Sequence, residues 1–412
     1  MQTQSKPLSN RILSIPVIVA SLGYFVDIYD LQLFNIVGKQ SLELGLKLSP
    51  ADVAKYDYQL FLWQMGGMLL GGIVFGILGD KLGRKSVLFS SILIYSLANI
   101  ANAFVTDIHQ YQFVRLIAGF GLAGELGAAI TLISEIIDKE RRGWGTMIIV
   151  SAGALGAVAG NLVAKETDWQ TSYIVGGVLG LLLLVFRVST FESGMFDKLK
   201  TDKVQKGNFF SLFRRKHVFI KYLCCILVGL PVWFVIGILV KFCAKYADHL
   251  QVNGTIAVGD AIMYSYIGLS VGDLLSGWLS QVWRSRRKVV FLYLVFSLLL
   301  TVIYLYAHGI SVIAFYFLTF LLGLATGFWA LFVSIASEQF GTNIRATVTT
   351  TVPNFVRGAV IPITLSFNYL LFAYEIETAT WVVGGVCLLL SGVATYILKE
   401  TFAKDLDYYE VN

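Results

Sequence analysis

Five of the charged side chains inside apolar runs of this chain, where ionised groups are costly to keep, have types and spacing that could do chemistry. Asp27 and Asp30 fall three positions apart in the segment Gly23 to Leu31, a spacing that sets both carboxylates on one face of a helix. Arg115 and Glu125 share a second run, and the glycines at 119, 121 and 124 just before Glu125 allow another helix to come close. Arg357 lies in a third run, shortly after Pro353 and Asn354. Such residues offer proton exchange and anion recognition. Desolvation favours a protonated carboxylic acid and a neighbouring guanidinium favours the carboxylate, so relative movement of the two loads and releases a proton. An arginine fork grips a carboxylate or phosphate by both oxygens. No nucleotide-binding loop and no nucleophile with its base accompany them, so an enzyme is not expected.

These groups need a scaffold that keeps them from water. Of the 412 residues, 56% are hydrophobic and only 14% charged, against roughly 25% charged in soluble domains. Runs of about 20 apolar residues, enough to cross about 30 Å of hydrocarbon, are read at 12–37, 58–78, 86–105, 111–137, 145–164, 172–188, 218–242, 257–282, 289–307, 313–336, 346–372 and 380–398. Twelve such runs predict an all-α integral membrane protein. Adjacent runs point in opposite directions, so Arg115 in the fourth comes to a depth similar to that of Asp27 and Asp30 in the first, and one of those pairs is expected. A merely structural Arg357 would need a carboxylate, for which Asp273 or Glu338 is the candidate.

Orientation follows from the basic residues. Lys81, Arg84 and Lys85, then Lys139, Arg141 and Arg142, then Arg284, Arg286, Arg287 and Lys288 occupy loops of one parity, and the long connection 190–217 is also lysine- and arginine-rich. Loops of the other parity, such as 106–110 and 308–311, lack both residues. The positive-inside rule puts the basic loops and both termini in the cytoplasm. The net charge of +6 suits loops facing anionic lipid and calls for no nucleic acid. The first run carries no small-residue cleavage site and is expected to stay in the mature protein. Cys224, Cys225, Cys243 and Cys387 lie in or beside apolar runs without metal-ligand spacing, so they read as packing residues; no metal or cofactor is expected.

The polar landmarks recur. Arg84 to Arg287, Glu135 to Glu338, Arg142 to Arg345 and Gly124 to Gly327 are all displaced by 203 positions. One shared offset implies two copies of one unit, and duplicated halves in a membrane protein point to alternating access around a central site. In each half a glutamate (Glu135, Glu338) stands seven residues before an arginine (Arg142, Arg345), which suits a charge pair between a helix end and the following loop. The halves are expected at 1–189 and 217–412, joined by a cytoplasmic loop at 190–216.

The loop after the second run reads Gly79, Asp80, Lys81, Leu82, Gly83, Arg84, Lys85. It resembles the signature loop of the major facilitator superfamily, a carboxylate ending one helix, a tight glycine turn and two cations. The resemblance covers nearly the whole chain and implies two pseudo-symmetric six-helix bundles, latched on the cytoplasmic side by Asp80, Gly83, Arg84 and Lys85. Arg287 belongs to the second copy, where Trp283 replaces the aspartate. The aspartate pair in the first span, with an arginine and a carboxylate ten apart in the fourth, looks like the phosphate:proton and metabolite:proton symporters of the family. There these positions carry the proton, which assigns Asp27, Asp30, Arg115 and Glu125 to proton coupling; Glu125 replaces the aspartate common in the phosphate branch.

Substrate determinants are expected in the second half. Arg357 and Asn354 read as the anion site, with Trp233, Trp329 and Tyr264 as walls and Phe328 and Tyr266 as further candidates. The fifth run lacks the proline of the family's drug antiporters, and Glu192 and Glu400 lack the proline that precedes them in its sugar porters. The expectation is proton-coupled symport of a small anionic or zwitterionic metabolite, an organic acid or amino acid, across a bacterial inner membrane. Alternatives are a proton-coupled exporter of a metabolite or cation, a sugar or phosphate porter, and a sensor of the same fold. The partners are the substrate, protons and the bilayer; a monomer suffices.

Overall fold

In the computed structural model residues 15–136, 142–192, 209–341 and 344–402 are described, and regular structure in them is helical. Six passages form the first half: α1 (Ile15–Gln40), α2 (Pro50–Leu82), α3 (Arg84–Asn102), α4 with α5 (Ile108–Leu122, Glu125–Ile136), α6 (Arg142–Glu166) and α7 (Trp169–Glu192). After a short α8 (Ser211–Arg214), the seventh passage runs through α9 (Lys216–Val228), α10 (Leu230–Phe234) and a π-helical turn at Val235–Val240, with α11 (Cys243–His249) beyond it. Then come α12 (Val258–Val282), α13 (Arg286–Tyr306), α14 with α15 (Val312–Thr326, Trp329–Gln339), α16 with α17 (Arg345–Gly358, Val360–Leu370) and α18 (Ile376–Ile397).

Among the described residues nine helices are long and apolar enough to cross a bilayer. The other three passages miss that criterion for physical reasons. The apolar part of α3 is short, Ser86–Asn102, while α12 and α16 carry polar residues on faces buried against other helices. Four apolar runs that the sequence presents as continuous are broken. Gly124 separates α4 from α5 and Gly327 separates α14 from α15, at positions 203 apart; Gly229 with Pro231, and Gly358, interrupt the seventh and eleventh passages. Pro353 lies within α16 without ending it. α2 begins earlier than its apolar run because Ser49 caps it, accepting the Asp52 N–H, and Pro50 takes the first-turn place where no amide is needed. Its 33 residues span about 50 Å, with Asp57 in its second turn.

Packing repeats with the sequence. In the first half α2 lies against α4 and α3 against α7; in the second α12 lies against α14 and α13 against α18. The halves meet along α2 with α16 and along α6 with α12, the same pair of passages exchanged by the pseudo-twofold. At the end bearing the basic loops this seam is tight. A Cβ at Gly72 would meet Asn354, one at Gly76 would meet Thr351 and one at Gly277 would meet Met147; the Asn354 amide donates to the Ala123 carbonyl at 2.8 Å. At the opposite end the halves part around a vestibule of about 650 Å³.

Gly83 joins α2 to α3 at φ 89°, a left-handed conformation that side chains resist. The side chains of Asp80, Arg84, Lys85, Glu135 and Arg142 lie outside the described residues. In the second half, among the described residues, Glu338 makes its ion pair with Arg286 rather than with the loop arginine after it. It forms a bidentate pair with Arg286, both contacts 2.6 Å, and Arg345 is buried at the start of α16. Arg287 caps the end of α18, donating to the carbonyls of Thr395 and Tyr396.

Glu400 completes this latch. Its carboxylate accepts from Ser285 Oγ at 2.5 Å and from the amides of Arg286, Arg287 and Phe402, at the N-terminus of α13 where the helix dipole favours a negative charge. Burial works to raise its pKa, but the Ser285 and backbone hydrogen bonds outweigh it and hold the group below the usual glutamate range. A depressed native pKa gives stability that is full above the unfolded value, about 4.3, and is lost as pH falls through the native one. Glu400→Gln should therefore unfold at lower temperature than the parent near pH 7, and thermal scans should show that gap closing as the pH falls below about 4.

Candidate functional site

The two halves meet at the centre of the membrane region around Arg357. The guanidinium is 1% exposed, held between the bundles by α16. Asp27 of α1 faces it from the other half at 3.7 Å, the Asn354 amide oxygen accepts from it at 3.4 Å, and the Tyr24 hydroxyl accepts at 3.4 Å. The Trp329 ring lies 5.8 Å from the guanidinium carbon, a cation–π distance. Neither Asp27 carboxylate oxygen has a protein hydrogen-bond partner among the described residues. The partner of Arg357 is thus Asp27, not Asp273 or Glu338. Asp273 instead accepts the Ala330 amide at 2.8 Å, filling the start of α15 that the Gly327 break exposes, and Glu338 is taken by Arg286.

A small cavity adjoins this pair, walled by Tyr24, Trp233, Tyr266, Trp329 and Arg357, with Val150, Ala154 and Leu269 among its apolar surfaces. Its volume is about 20 Å³, which admits about one water and no organic substrate. Gln32 donates to the Tyr266 hydroxyl at 2.7 Å, tying α1 to α12 on the vestibule side. Further out, Lys241 bridges to Asp57 at 3.2 Å and Asn35 at 2.8 Å, and Asp260 receives Lys165 at 2.5 Å and Asn161 at 2.9 Å. Both clusters link the first half to the second. This conformation is closed at the basic end and strapped at the other.

The remaining expected proton groups sit inside the first bundle. Glu125, in the first turn of α5, is bound in a bidentate pair by Arg187 of α7, and Arg187 also donates to the Val19 carbonyl. Arg115 donates to Gln64 and lies over the Phe34 ring at 4.8 Å; it makes no ion pair within 4.0 Å with Asp27 or Asp30 among the described residues. Asp30 is fully buried beside Asn99 and Gly176. Trp233 and Trp329 line the cavity and Asn354 braces Arg357. Tyr264 does not reach the cavity. It is 37% exposed and stacks on Tyr316, while Tyr266, two residues on and so on another helical face, takes the place at the wall. Arg187 is the group the sequence reading missed, although the signal was available: it is an arginine inside the sixth apolar run, as Arg357 is inside the eleventh.

Removing one partner of a tightly bound buried pair strands the other charge and costs about 3–5 kcal/mol, whereas neutralising both costs far less. Arg187→Leu should therefore lower stability by about that amount, and Glu125→Gln with Arg187→Gln should recover most of it. Asp27→Asn, breaking a long contact with no hydrogen bond, should cost less than Arg187→Leu. Thermal unfolding of the purified protein in detergent checks the order.

A model of the Major Facilitator Superfamily matches residues 20–364. A Bacillus subtilis (strain 168) protein provisionally assigned as a niacin/nicotinamide transporter, NiaP, is 25% identical over 98% of this chain and 100% of its own length. The 4-hydroxybenzoate transporter PcaK of Pseudomonas putida is 31% identical over 34% of this chain and 33% of its own. The solved structure of the proton:xylose symporter XylE bound to 6-bromo-6-deoxy-D-glucose superposes with a TM-score of 0.71 at 15% identity, over 95% of this chain and 97% of that one, a likeness of fold. With its twelve helical passages, its duplicated halves and a match running through both, the chain belongs to the major facilitator superfamily of membrane transporters.

Proposed function

We propose that this transporter imports small aromatic carboxylates together with protons across a bacterial plasma membrane, with its basic loops and termini in the cytoplasm. The carrying observation is the Arg357–Asp27 contact: a cation at the cavity wall held by a carboxylate that is 3.7 Å away and otherwise without a hydrogen bond. A substrate carboxylate offers Arg357 a bidentate partner of better geometry. The cavity walls, two tryptophans and two tyrosines, suit the faces of an aromatic ring. Relatives named for niacin and 4-hydroxybenzoate, both aromatic rings bearing carboxylates, support that class over an amino acid.

Coupling follows from competition for one cation. When a substrate carboxylate takes Arg357, Asp27 is left as a buried anion without its counter-charge, and taking up a proton relieves it. By linkage the proton in turn favours the substrate, because it releases Arg357. Opening outward requires the Lys241–Asp57 and Lys165–Asp260 straps to part; opening inward requires α2 and α5 to leave α16. The segments 1–189 and 217–412 move as the two bodies, with 190–216 as their connection.

The test is uptake of radiolabelled nicotinate and benzoate into proteoliposomes under an inward proton gradient. The parent should accumulate at least one of them, Arg357→Lys should lose at least about tenfold in uptake, equivalent to about 1.4 kcal/mol, and Asp27→Asn should lose gradient-driven accumulation while retaining exchange. Accumulation that ignores the gradient, or an Arg357→Lys variant as active as the parent, sinks the reading.

A further inference from the structure

The vestibule between the halves, about 650 Å³, has the size of a ligand pocket, for which about 300–1,000 Å³ is typical, whereas the cavity at Arg357 admits no organic substrate. Its walls are partly aliphatic, with Val37, Val53, Ile256 and Val258 among them, and Lys241 lines it as well. The Lys241 side chain is 8% exposed, while that of its partner Asp57 is 30% exposed. The ammonium lies 4.8 Å from the centre of the Phe61 ring and 5.8 Å from that of Phe34, both cation–π distances. Of its three N–H donors, two find acceptors among the described residues, Asp57 at 3.2 Å and Asn35 at 2.8 Å.

The unequal burial decides what can displace this pair. Asp57 can turn to vestibule water at little cost, but a largely buried ammonium needs an anion in its place. An arriving carboxylate can therefore exchange with Asp57, whereas an arriving cation would draw Asp57 away and strand Lys241. The neighbouring Lys165–Asp260 pair is built the other way. There the aspartate is the less exposed partner and is held by Asn161 as well, so the pair offers an anion no such exchange.

Lys241 is also tied inward. Asn35, which accepts from it, donates to Gln32 at 3.0 Å, and Gln32 donates at 2.7 Å to the hydroxyl of Tyr266, a wall of the Arg357 cavity. One chain of hydrogen bonds thus joins the vestibule cation to that cavity.

We propose that Lys241 is a second recognition site for the substrate carboxylate, occupied in the vestibule before Arg357 is reached, and that its occupancy frees Asp57 and so unties the halves at that strap. The aliphatic walls receive the ring. The ligand class rests on the aromatic-carboxylate function proposed above; the site itself is tested without transport.

Ala54 is exposed, lines the vestibule and stands three residues before Asp57 on the same face of α2. The four native cysteines are buried, so Ala54→Cys supplies an accessible thiol for N-ethylmaleimide. In that variant benzoate or nicotinate should slow alkylation severalfold, while neutral benzamide and cationic benzylamine should not. Adding Arg357→Lys should leave the protection intact, because the inner site takes no part in it. Adding Asp57→Asn removes the competing carboxylate and should lower the half-protecting concentration about tenfold, equivalent to about 1.4 kcal/mol; a misfolded variant would not gain affinity. Lys241→Met should abolish protection and Lys241→Arg should keep it. Protection that survives Lys241→Met, that benzylamine gives equally, or that disappears with Arg357→Lys overturns the site, as does a half-protecting concentration unchanged by Asp57→Asn. An absence of protection overturns it whether or not the parent accumulates either acid. Protection in a protein that accumulates neither upholds the anion site and sinks only the transport of these acids.

Discussion

A guanidinium in the middle of a membrane protein must have a counter-charge, and much of this architecture serves to supply one to Arg357 from the opposite half of the molecule. Aspartate is short, so Asp27 can approach only if α1 and α16 lie close to the bundle interface. They do because threonines and an asparagine of α16 bury directly against glycines of α2 and α5. The contact that results is long and lacks hydrogen bonds. It satisfies the charge without locking it in hydrogen bonds.

The two ends of the interface are closed by different physics. At the basic end, backbone meets side chain across glycines, a dry contact in which the geometry of many atoms must be lost at once. At the other, two lysines reach across a vestibule to Asp57 and Asp260; the Lys165 side chain is 49% exposed, and ion pairs of that kind contribute about 0–1 kcal/mol. Lys241 is better held, its ammonium lying 4.8 Å from the centre of the Phe61 ring. The straps at the vestibule end are therefore the cheaper contacts to break. Two states separated by a few kcal/mol are enough for a ligand to shift the population.

Much of this was legible in the residues. The apolar runs and the offset of 203 prescribed twelve helices in two related halves, because hydrocarbon thickness fixes helix length and duplication fixes spacing. Charges inside those runs marked Asp27, Asp30, Arg115, Glu125 and Arg357 as buried. Their partners were not legible. Depth along a helix follows from counting, but rotation about the axis and tilt do not, so Arg115 was paired with the aspartates when it turns toward Gln64 and Phe34. The breaks at Gly124 and Gly327 depend on which helix crosses there, and Tyr264 and Tyr266 differ only by the face their helix presents. The straps were hidden because Asp57 and Lys241 sit where an apolar run meets loop, a place where charges are ordinary.

The duplication also sharpens what is not duplicated. Displaced by 203, Asp27, Asp30, Arg115, Glu125 and Arg187 correspond to Leu230, Trp233, Leu318, Phe328 and Leu390. At these five positions the first bundle is charged where the second is apolar or aromatic, although the second buries serines and threonines as well. Asp273, the fully buried carboxylate of the second half, is already committed to the amide at the start of α15. Asp27, Asp30, Arg115, Glu125 and Arg187 are all buried in the first bundle, while the second contributes the flat walls Trp233, Tyr266 and Trp329 to the cavity at the interface. Asp27 of the first half and Arg357 of the second stand 3.7 Å apart across the interface, so a change of charge at either is felt by both halves.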